Sequence, residues 1–341
     1  MNRIGFLLVV LLSAALSIHA QDEKKEFFGM WTIAIEDGSV GWLGVNDDKG
    51  FLDADLLWQG GSVVPVSHVF FKDNNTLIVT RTSEARRSEG RRHTVTQTFT
   101  FERIGDKVFG TLVSPTRDGM NISTQRFTGW KLAVPGPAPD LSKVKYGTPV
   151  KLFNGKDLTG WRLINPNQAN GFKVENGELI NDPVRAEGQR AGFGNLRTDA
   201  EFEDFKLTLE VNVPEGSNSG VYLRGIYEVQ VVDSYGKELD PHNMGALYSR
   251  ITPSEAAEKP AGEWQTMEMI LCERHLTVVL NGKKIIDNQP VLGPTGGAMQ
   301  ADVSIPGPIY LQGDHGKVSY RNIVLTPILK PLVISAESFV K

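Results

Sequence analysis

Residues 227–233 read YEVQVVD, in which charged or polar side chains alternate with apolar ones. Such an alternation is typical of a β-strand with one face in a core. Side chains two residues apart point to the same side of a strand, so Glu228, Gln230 and Val232 share one face. The sequence therefore predicts an antiparallel strand that carries a glutamate and a glutamine beside each other on its polar face.

Further short strands, separated by turn residues, surround this segment. In the second half of the chain they are predicted at 172–174, 178–180, 205–211, 220–224, 266–271, 275–280, 283–287, 309–311 and 318–325. The pair Asn281-Gly282 is typical of a two-residue hairpin turn. Many evenly spaced strands predict a two-sheet β-sandwich over residues 148–330. Only residues 254–258 predict a single helical turn, with Ser254 as its cap.

The first half of the chain shows the same all-β pattern on a smaller scale. Strands are predicted at 31–35, 69–71, 76–80, 94–101 and 108–112. They predict a small antiparallel barrel or sandwich over residues 27–133, because open sheet edges invite pairing with other chains. The tryptophans Trp31 and Trp130 at its two ends resemble those of lipocalin-like barrels. The proline-rich stretch 134–147 interrupts the strand pattern and is predicted to be a linker.

The N-terminus predicts an exported protein. Residues 1–20 combine a short basic start, an apolar run and a small-residue exit, the pattern of a secretory signal peptide. The run is too short to span a bilayer, no later segment is apolar for long enough, and we expect a soluble periplasmic or secreted protein. The single Cys272 excludes an internal disulfide, and a net charge of −4 disfavours nucleic-acid partners. The arginine-rich run 86–93 is interpreted as a solvated hairpin tip.

A series of short motifs in the second half of the chain resembles the 3-keto-disaccharide hydrolase domain family over about residues 150–328. The motifs are LFNGKDLTGW at 152–161, NSGV at 218–221, YEVQVVD at 227–233, GALY at 245–248, PAGEW at 260–264, LQGDHG at 311–316 and RNI at 321–323. Their order and number carry the resemblance, since each motif is short. The resemblance implies a concanavalin-like jelly-roll fold.

The resemblance also implies a carbohydrate substrate whose C3 hydroxyl has been oxidised to a ketone by a separate sugar 3-dehydrogenase. Such a ketone acidifies the proton on C2. A base can then remove this proton, and the substituent at C1 leaves by β-elimination through an enolate. The reaction either ends there or continues with the addition of water, which gives a net hydrolysis. This chemistry requires a base near C2, a donor to the enolate oxygen and an acid for the leaving oxygen.

On this basis we expect a set of catalytic and substrate-binding side chains. Glu228 is the expected base. Arg224 is expected beside it, because Gly225 allows a bend that returns the chain alongside, and Arg224 and Tyr248 would stabilise the enolate. The expected proton donor to the leaving group is His315 with Asp314. The remaining candidates are Asp233 for catalysis and Gln230, His242, Asn218 and Trp264 for substrate binding.

Each of these residues also has a structural interpretation that the sequence leaves open. The polar face of Glu228 and Gln230 is equally typical of a solvated sheet surface. Asp233 at a strand end is typical of a turn, and Trp264 is typical of a core position. His315 beside Asp314 is also compatible with an ordinary turn.

Two further questions stay open at the level of sequence. The carboxylates and imidazoles named above could assemble around a divalent ion, which would stabilise an enolate, but no metal-binding motif is present, so the cofactor is left open. A non-catalytic carbohydrate-binding protein would fit the same fold. A conventional glycoside hydrolase would require a second carboxylate about 5–9.5 Å from Glu228.

Overall fold

The computed structural model describes residues 24–86, 92–116, 118–184 and 192–330. The predicted signal peptide and most of the arginine-rich run lie outside these residues. The chain divides into two compact units, of which the first comprises residues up to 134 together with 293–302, and the second comprises 135–292 together with the residues from 303 onwards. The described residues are built from β-strands, as the sequence predicts.

The first unit contains one antiparallel sheet of nine strands in the order β4-β3-β2-β1-β9-β8-β7-β6-β5. Its strands are β1 (Gly29–Ile35), β2 (Val40–Asn46), β3 (Asp53–Trp58), β4 (Val64–Pro65), β5 (His68–Phe71), β6 (Thr76–Arg86), β7 (Arg92–Ile104), β8 (Lys107–Pro115) and β9 (Ile122–Leu132). Consecutive strands pair throughout most of this order, so the connections are simple hairpins.

Residues 64–71 close this sheet into a barrel. Their first half pairs with β3 and their second half pairs with β6. Between these pairings Val66 N donates to Ala54 O at 3.0 Å and Ser67 N donates to Thr80 O at 2.8 Å. The interior is filled by aromatic side chains that are almost fully buried, namely Phe27, Trp31, Trp58, Phe99, Phe101 and Phe127. Of the two predicted alternatives, barrel or sandwich, the first unit has the small antiparallel barrel.

The second unit contains two antiparallel sheets. The larger has the order β13-β14-β23-β16-β19-β20-β21, with β10 and β11 also paired to β23, and the smaller has the order β12-β15-β22-β17-β18. The strands are β10 (Lys145–Tyr146), β11 (Val150–Lys151), β12 (Trp161–Leu163), β13 (Phe172–Glu175), β14 (Glu178–Asn181), β15 (Leu196–Thr198), β16 (Phe205–Asn212), β17 (Asn218–Leu223), β18 (Tyr227–Val232), β19 (Trp264–Cys272), β20 (His275–Leu280), β21 (Lys283–Pro290), β22 (Tyr310–Leu311) and β23 (Val318–Leu329).

The two sheets pack face to face. In β16 the alternation FKLTLEVN buries every second side chain, which is the pattern of a strand with one face in a core. Across the interior, Ser219 Oγ of the smaller sheet hydrogen-bonds to Tyr320 OH of the larger sheet at 2.8 Å. The predicted two-sheet sandwich is therefore confirmed. Since Ser219 points inward, Gly220 and Tyr222 lie on the outer face of the smaller sheet.

Two local predictions have opposite outcomes. The Asn281-Gly282 turn is confirmed, because Leu280 pairs with Lys283 and both turn residues have positive φ angles of 51° and 83°. The helical turn at 254–258 is wrong, because these residues have no helical structure. Ser254 N donates to Ile285 O at 2.8 Å instead, so a tertiary contact with β21 overrides the weak local preference of a five-residue segment.

Among the residues that the structure describes, no helix combines the length and the apolar character needed to cross a bilayer.

The sandwich core generates a stability prediction. Leu207 in β16 is fully buried, whereas the next residue, Thr208, lies on the outer face. Leu207→Ala is expected to lower the free energy of unfolding by about 2–5 kcal/mol, because it removes buried methyl groups and leaves a cavity. Thr208→Ala is the matched control and is expected to change it by less than about 1 kcal/mol. Urea titration of both variants measures this, and equal losses would contradict the assigned faces.

Candidate active site

A row of side chains crosses the outer face of the smaller sheet. The strand register places Tyr222 of β17 opposite Glu228 of β18 on one side and opposite Tyr310 of β22 on the other. Beyond Glu228, the bridge between Val229 and Leu247 continues the sheet, and Tyr248 N donates to Glu228 O at 3.0 Å. Side chains opposite each other on one sheet face have Cβ atoms roughly 5 Å apart. Tyr248, Glu228, Tyr222 and Tyr310 are therefore neighbours.

Glu228 is the central carboxyl group of this row. It is 3% exposed, and the hydroxyl group of Tyr222 donates to its Oε2 at 2.8 Å. Its Oε1 lies over Gly220, where a Cβ atom would come within 2.3 Å of that oxygen. Glycine at position 220 therefore leaves the space that the carboxyl group occupies. The solvated-surface interpretation of Glu228 and Gln230 does not fit, since Gln230 is only 2% exposed.

The environment of Glu228 changes its proton affinity. Burial raises the pKa of Glu228 to about 8, because the charged form loses solvation. The hydrogen bond from Tyr222 and the nearby His315 act in the opposite direction, and Asp314 adds to the increase. At neutral pH most of the carboxyl groups are therefore protonated, and the carboxylate becomes the main form only above about pH 8.

His315 and Asp314 form a second titratable pair near Glu228. His315 Nδ1 lies 2.8 Å from Asp314 Oδ1, and both side chains are slightly less than half exposed. This hydrogen bond raises the pKa of His315, burial lowers it, and the charges of Asp314 and Glu228 raise it further. Each of Glu228 and His315 thus alters the pKa of the other. The structure thus brings together the predicted residues Glu228, Asp314 and His315.

The segment before Tyr248 borders the open edge of β18. Gln230 N donates to Ala246 O and Gly245 N donates to Gln230 O, each at 2.9 Å. The imidazole of His242 meets the ring of Tyr248 edge to face, with ring centroids 4.9 Å apart. Asn218, at the start of β17, lies two positions from Gly220 and shares its face. The predicted residues Tyr248, His242, Gln230 and Asn218 thus lie on or beside the face of Glu228.

Three other predicted residues have contacts that are structural. The Arg224 guanidinium group donates to Val303 O at 2.7 Å and also to Ile305 O. The Asp233 carboxylate accepts a hydrogen bond from Gly216 N at 2.9 Å, which joins the end of β18 to the turn before β17. Trp264 belongs to the outer face of the larger sheet, which is the opposite side of the sandwich from Glu228. The guanidinium carbon of Arg321 covers its ring at 3.9 Å.

Sequence reasoning missed Gly220, Tyr222 and Tyr310. The alternation that grouped Glu228 with Gln230 also groups Gly220 with Tyr222 on β17. It does not give the register between strands, which decides that Tyr222 reaches Glu228. Tyr310 lies on a two-residue strand far away in the sequence, so no local pattern marks it.

The described residues contain no group of three or more His, Cys, Asp or Glu side chains close enough to hold a metal ion.

Comparison with known proteins gives matches in the second half of the chain. A family model described as a 3-keto-alpha-glucoside-1,2-lyase-like domain matches residues 148–326. A 3-keto-disaccharide hydrolase of Bacteroides thetaiotaomicron is 24% identical over 167 residues, which is 40% of this chain and 57% of the length of that protein. The crystal structure of a glycosyl hydrolase candidate from Parabacteroides distasonis is 28% identical, covers 56% of this chain and 92% of its own, and superimposes with a TM-score of 0.43.

Because the Glu228 carboxyl group is buried, we expect its substitution to increase the stability of the protein in a pH-dependent way. The pKa of Glu228 in the folded state, about 8, exceeds the roughly 4.3 of an unfolded glutamate, so the folded protein holds a proton that the unfolded chain releases. Between these values the folded state loses stability as pH rises. Glu228→Gln carries no charge, so it is expected to be more stable than the wild type at pH 8, by on the order of a few kcal/mol. This gain should vanish near pH 4–5.

Thermal unfolding at several pH values measures this effect. Glu210→Gln is the matched control, because hydrogen bonds from Asn322 and Arg321 lower the pKa of Glu210 and its removal is expected to reduce stability. A Glu228→Gln variant that is less stable than the wild type at pH 8 would contradict the buried, high-pKa carboxyl group.

Proposed function

Because the chain belongs to the 3-keto-alpha-glucoside-1,2-lyase-like domain family, we propose that it cleaves the glycosidic bond of 3-keto-glycosides. The observation that carries this proposal is the Glu228 carboxyl group, which is buried beside Tyr222 and Tyr248 and is electrostatically linked to His315. A buried carboxyl group with a pKa of about 8 suits proton transfer better than the binding of a neutral sugar by hydrogen bonds.

In the proposed first step, Glu228 removes the proton from C2 of the oxidised ring. The electron pair of the C–H bond moves toward the C3 carbonyl group and forms an enolate. A base with a raised pKa holds this proton more strongly than an ordinary carboxylate, which favours abstraction from carbon. Tyr248, on the same face as Glu228, donates a hydrogen bond to the enolate oxygen.

In the second step, the enolate expels the oxygen substituent at C1, and His315 supplies the proton that this oxygen needs. Asp314 holds the imidazole through Nδ1, so Nε2 is the nitrogen that serves the leaving group. Water then adds to the resulting C1=C2 bond, and the sum of both steps is hydrolysis. Gln230, Asn218 and His242 are assigned to the sugar hydroxyl groups.

Arg224, Asp233 and Trp264 have no role in this scheme. Their side-chain contacts are with backbone groups or with Arg321, as described above. A conventional glycosidase would need a second carboxylate near Glu228. The charge of Asp314 affects Glu228, but the Asp314 carboxylate is hydrogen-bonded to His315. The elimination scheme uses both groups of this pair together.

The cellular setting is part of the proposal. The leader-like residues 1–20 support action after export, and the substrate requires a sugar 3-dehydrogenase earlier in the same pathway. The barrel of the first unit is proposed to be an accessory module.

The proposal predicts cleavage that depends on oxidation at C3. The full-length protein is incubated with a p-nitrophenyl glucoside and with its 3-keto counterpart, and release of nitrophenol is followed. Only the 3-keto compound is expected to react. Glu228→Gln is expected to lower kcat about 10²–10⁴-fold, since it removes the base. Glu268→Gln on the outer face of the larger sheet is the matched control and should retain the wild-type rate.

The pH dependence gives an independent check of the role of Glu228. Glu228 acts in its ionised form and His315 in its protonated form, so the kcat/KM of the wild type should pass through a maximum. In His315→Gln only the base remains to titrate, and the residual kcat/KM should rise with pH and level off above about pH 8. A residual rate that falls through pH 8 in this variant would make Glu228 the acid. Release from both compounds would indicate a conventional glycosidase, and tight binding without release would indicate a carbohydrate-binding protein.

A further inference from the structure

We propose that Tyr222 and Tyr310 are positioning residues that together hold the Glu228 carboxylate in its reacting orientation, and that Gly220 provides the space for the second carboxylate oxygen. This inference rests on the proposed function, in which Glu228 is the base. It adds two tyrosines that act on the base and not on the substrate, since Tyr222 contacts the Glu228 carboxyl group and Tyr310 contacts Tyr222.

Tyr310 and Tyr222 form a row of side chains that ends at Glu228. Their rings are stacked, with centroids 3.8 Å apart and planes inclined by 14°, because they are direct cross-strand neighbours. Each hydroxyl group affects the pKa of the other. Tyr222 has a single hydroxyl proton, which it donates to the Glu228 carboxylate at 2.8 Å. With that proton directed to Glu228, only Tyr310 can donate between the two tyrosine hydroxyl groups.

Both tyrosines are suited to remain neutral donors. Each is 1% exposed. Burial raises the pKa of both hydroxyl groups well above the usual value, so neither loses its proton in the range in which Glu228 titrates. A donor that polarises another donor strengthens the final hydrogen bond. The outer tyrosine thus affects the carboxylate through the inner one.

Gly220 completes the arrangement from the other side. With Oε2 fixed by Tyr222, the other oxygen of Glu228 is directed over Gly220, where a Cβ atom would lie 2.3 Å from Oε1 and 2.9 Å from Cγ. Both distances are far below a van der Waals contact. Any larger residue at position 220 would displace the carboxyl group.

Other titratable groups also face Glu228 and must remain unchanged in a test. Asp314 and His315 approach it from the loop after β22, and Tyr248 borders it along the edge of β18. From inside the sandwich, Tyr320 of β23 is affected by the charge of Glu228. The substitutions below leave all four in place, apart from the control at Tyr320.

Removal of the donor is expected to make the carboxylate harder to form. Tyr222→Phe should raise the midpoint of the Glu228 titration by about one pH unit above the wild-type value, since a hydrogen bond to a charged group is lost. The kcat/KM at pH 7 should fall about tenfold, and most of the loss should be recovered at high pH. Tyr310→Phe should also raise the midpoint of the Glu228 titration and lower kcat/KM at pH 7, but by smaller amounts.

The titration is measured by NMR on protein labelled at the glutamate carboxyl carbon, with the Glu228 signal identified by its absence in Glu228→Gln. The pH profile of kcat/KM is measured in parallel. Tyr320→Phe is the matched control, because it removes an equally buried hydroxyl group that is bonded to Ser219 inside the sandwich. It should leave the Glu228 titration unchanged even where it lowers the melting temperature.

Three results would overturn the inference. These are a Tyr222→Phe titration identical to that of the wild type, an equal shift in Tyr320→Phe, or full activity in Gly220→Ala. Gly220→Ala is expected to lower kcat at least tenfold with the fold retained. If the wild type does not turn over a 3-keto-glycoside but the Tyr222→Phe shift is present, the donor chain is supported and the proposed reaction alone fails.

Discussion

The burial of one carboxyl group is the constraint on which the candidate site depends. A glutamate that is 3% exposed must be neutral or must receive hydrogen bonds, because an isolated charge in a poorly solvated place is costly. Here both conditions operate. Burial favours the protonated form and the hydroxyl group of Tyr222 favours the ionised form. The balance gives a pKa of about 8 for Glu228, so this group can take up or release a proton near neutral pH.

The sandwich makes this burial possible by fixing the backbone on both sides of Glu228. β17 is bonded to β18 over six residue pairs, and Tyr248 with its preceding residues extends the ladder on the other edge of β18. Inward-pointing residues of the same strands are fully buried, among them Val221 and Val229. Strands held on one face by a packed core and on both edges by hydrogen bonds have little freedom, so the outer side chains are presented in a fixed order.

Sequence periodicity predicted the parts of the site that depend on one strand. The alternation in 227–233 placed Glu228 and Gln230 together, and the structure has them on one face. Arg224 was expected beside Glu228 because Gly225 allows the chain to turn back, but such a turn does not determine where a long side chain points. The Arg224 guanidinium group donates to the carbonyl groups of Val303 and Ile305, which are about 80 positions away. Likewise, no local pattern reveals that residues 293–302 belong to the first unit. Contacts between distant segments are what single-strand patterns omit.

The proposed two-step reaction places an additional demand on Glu228 and His315. In the elimination, Glu228 accepts a proton and His315 gives one. When water adds, the proton transfers run in reverse, so each group must work both as acid and as base. An ordinary glutamate and an ordinary histidine differ by about two pKa units, which would make one direction unfavourable. Burial raises the pKa of Glu228 to about 8, well above that of an ordinary glutamate, and the hydrogen bond to Asp314 raises the pKa of His315, so both groups can hold a proton at neutral pH. The buried position of Glu228 thus serves both steps. The hydrogen bond from Tyr222 limits the increase in the pKa of Glu228, so the carboxylate form can still be reached near neutral pH.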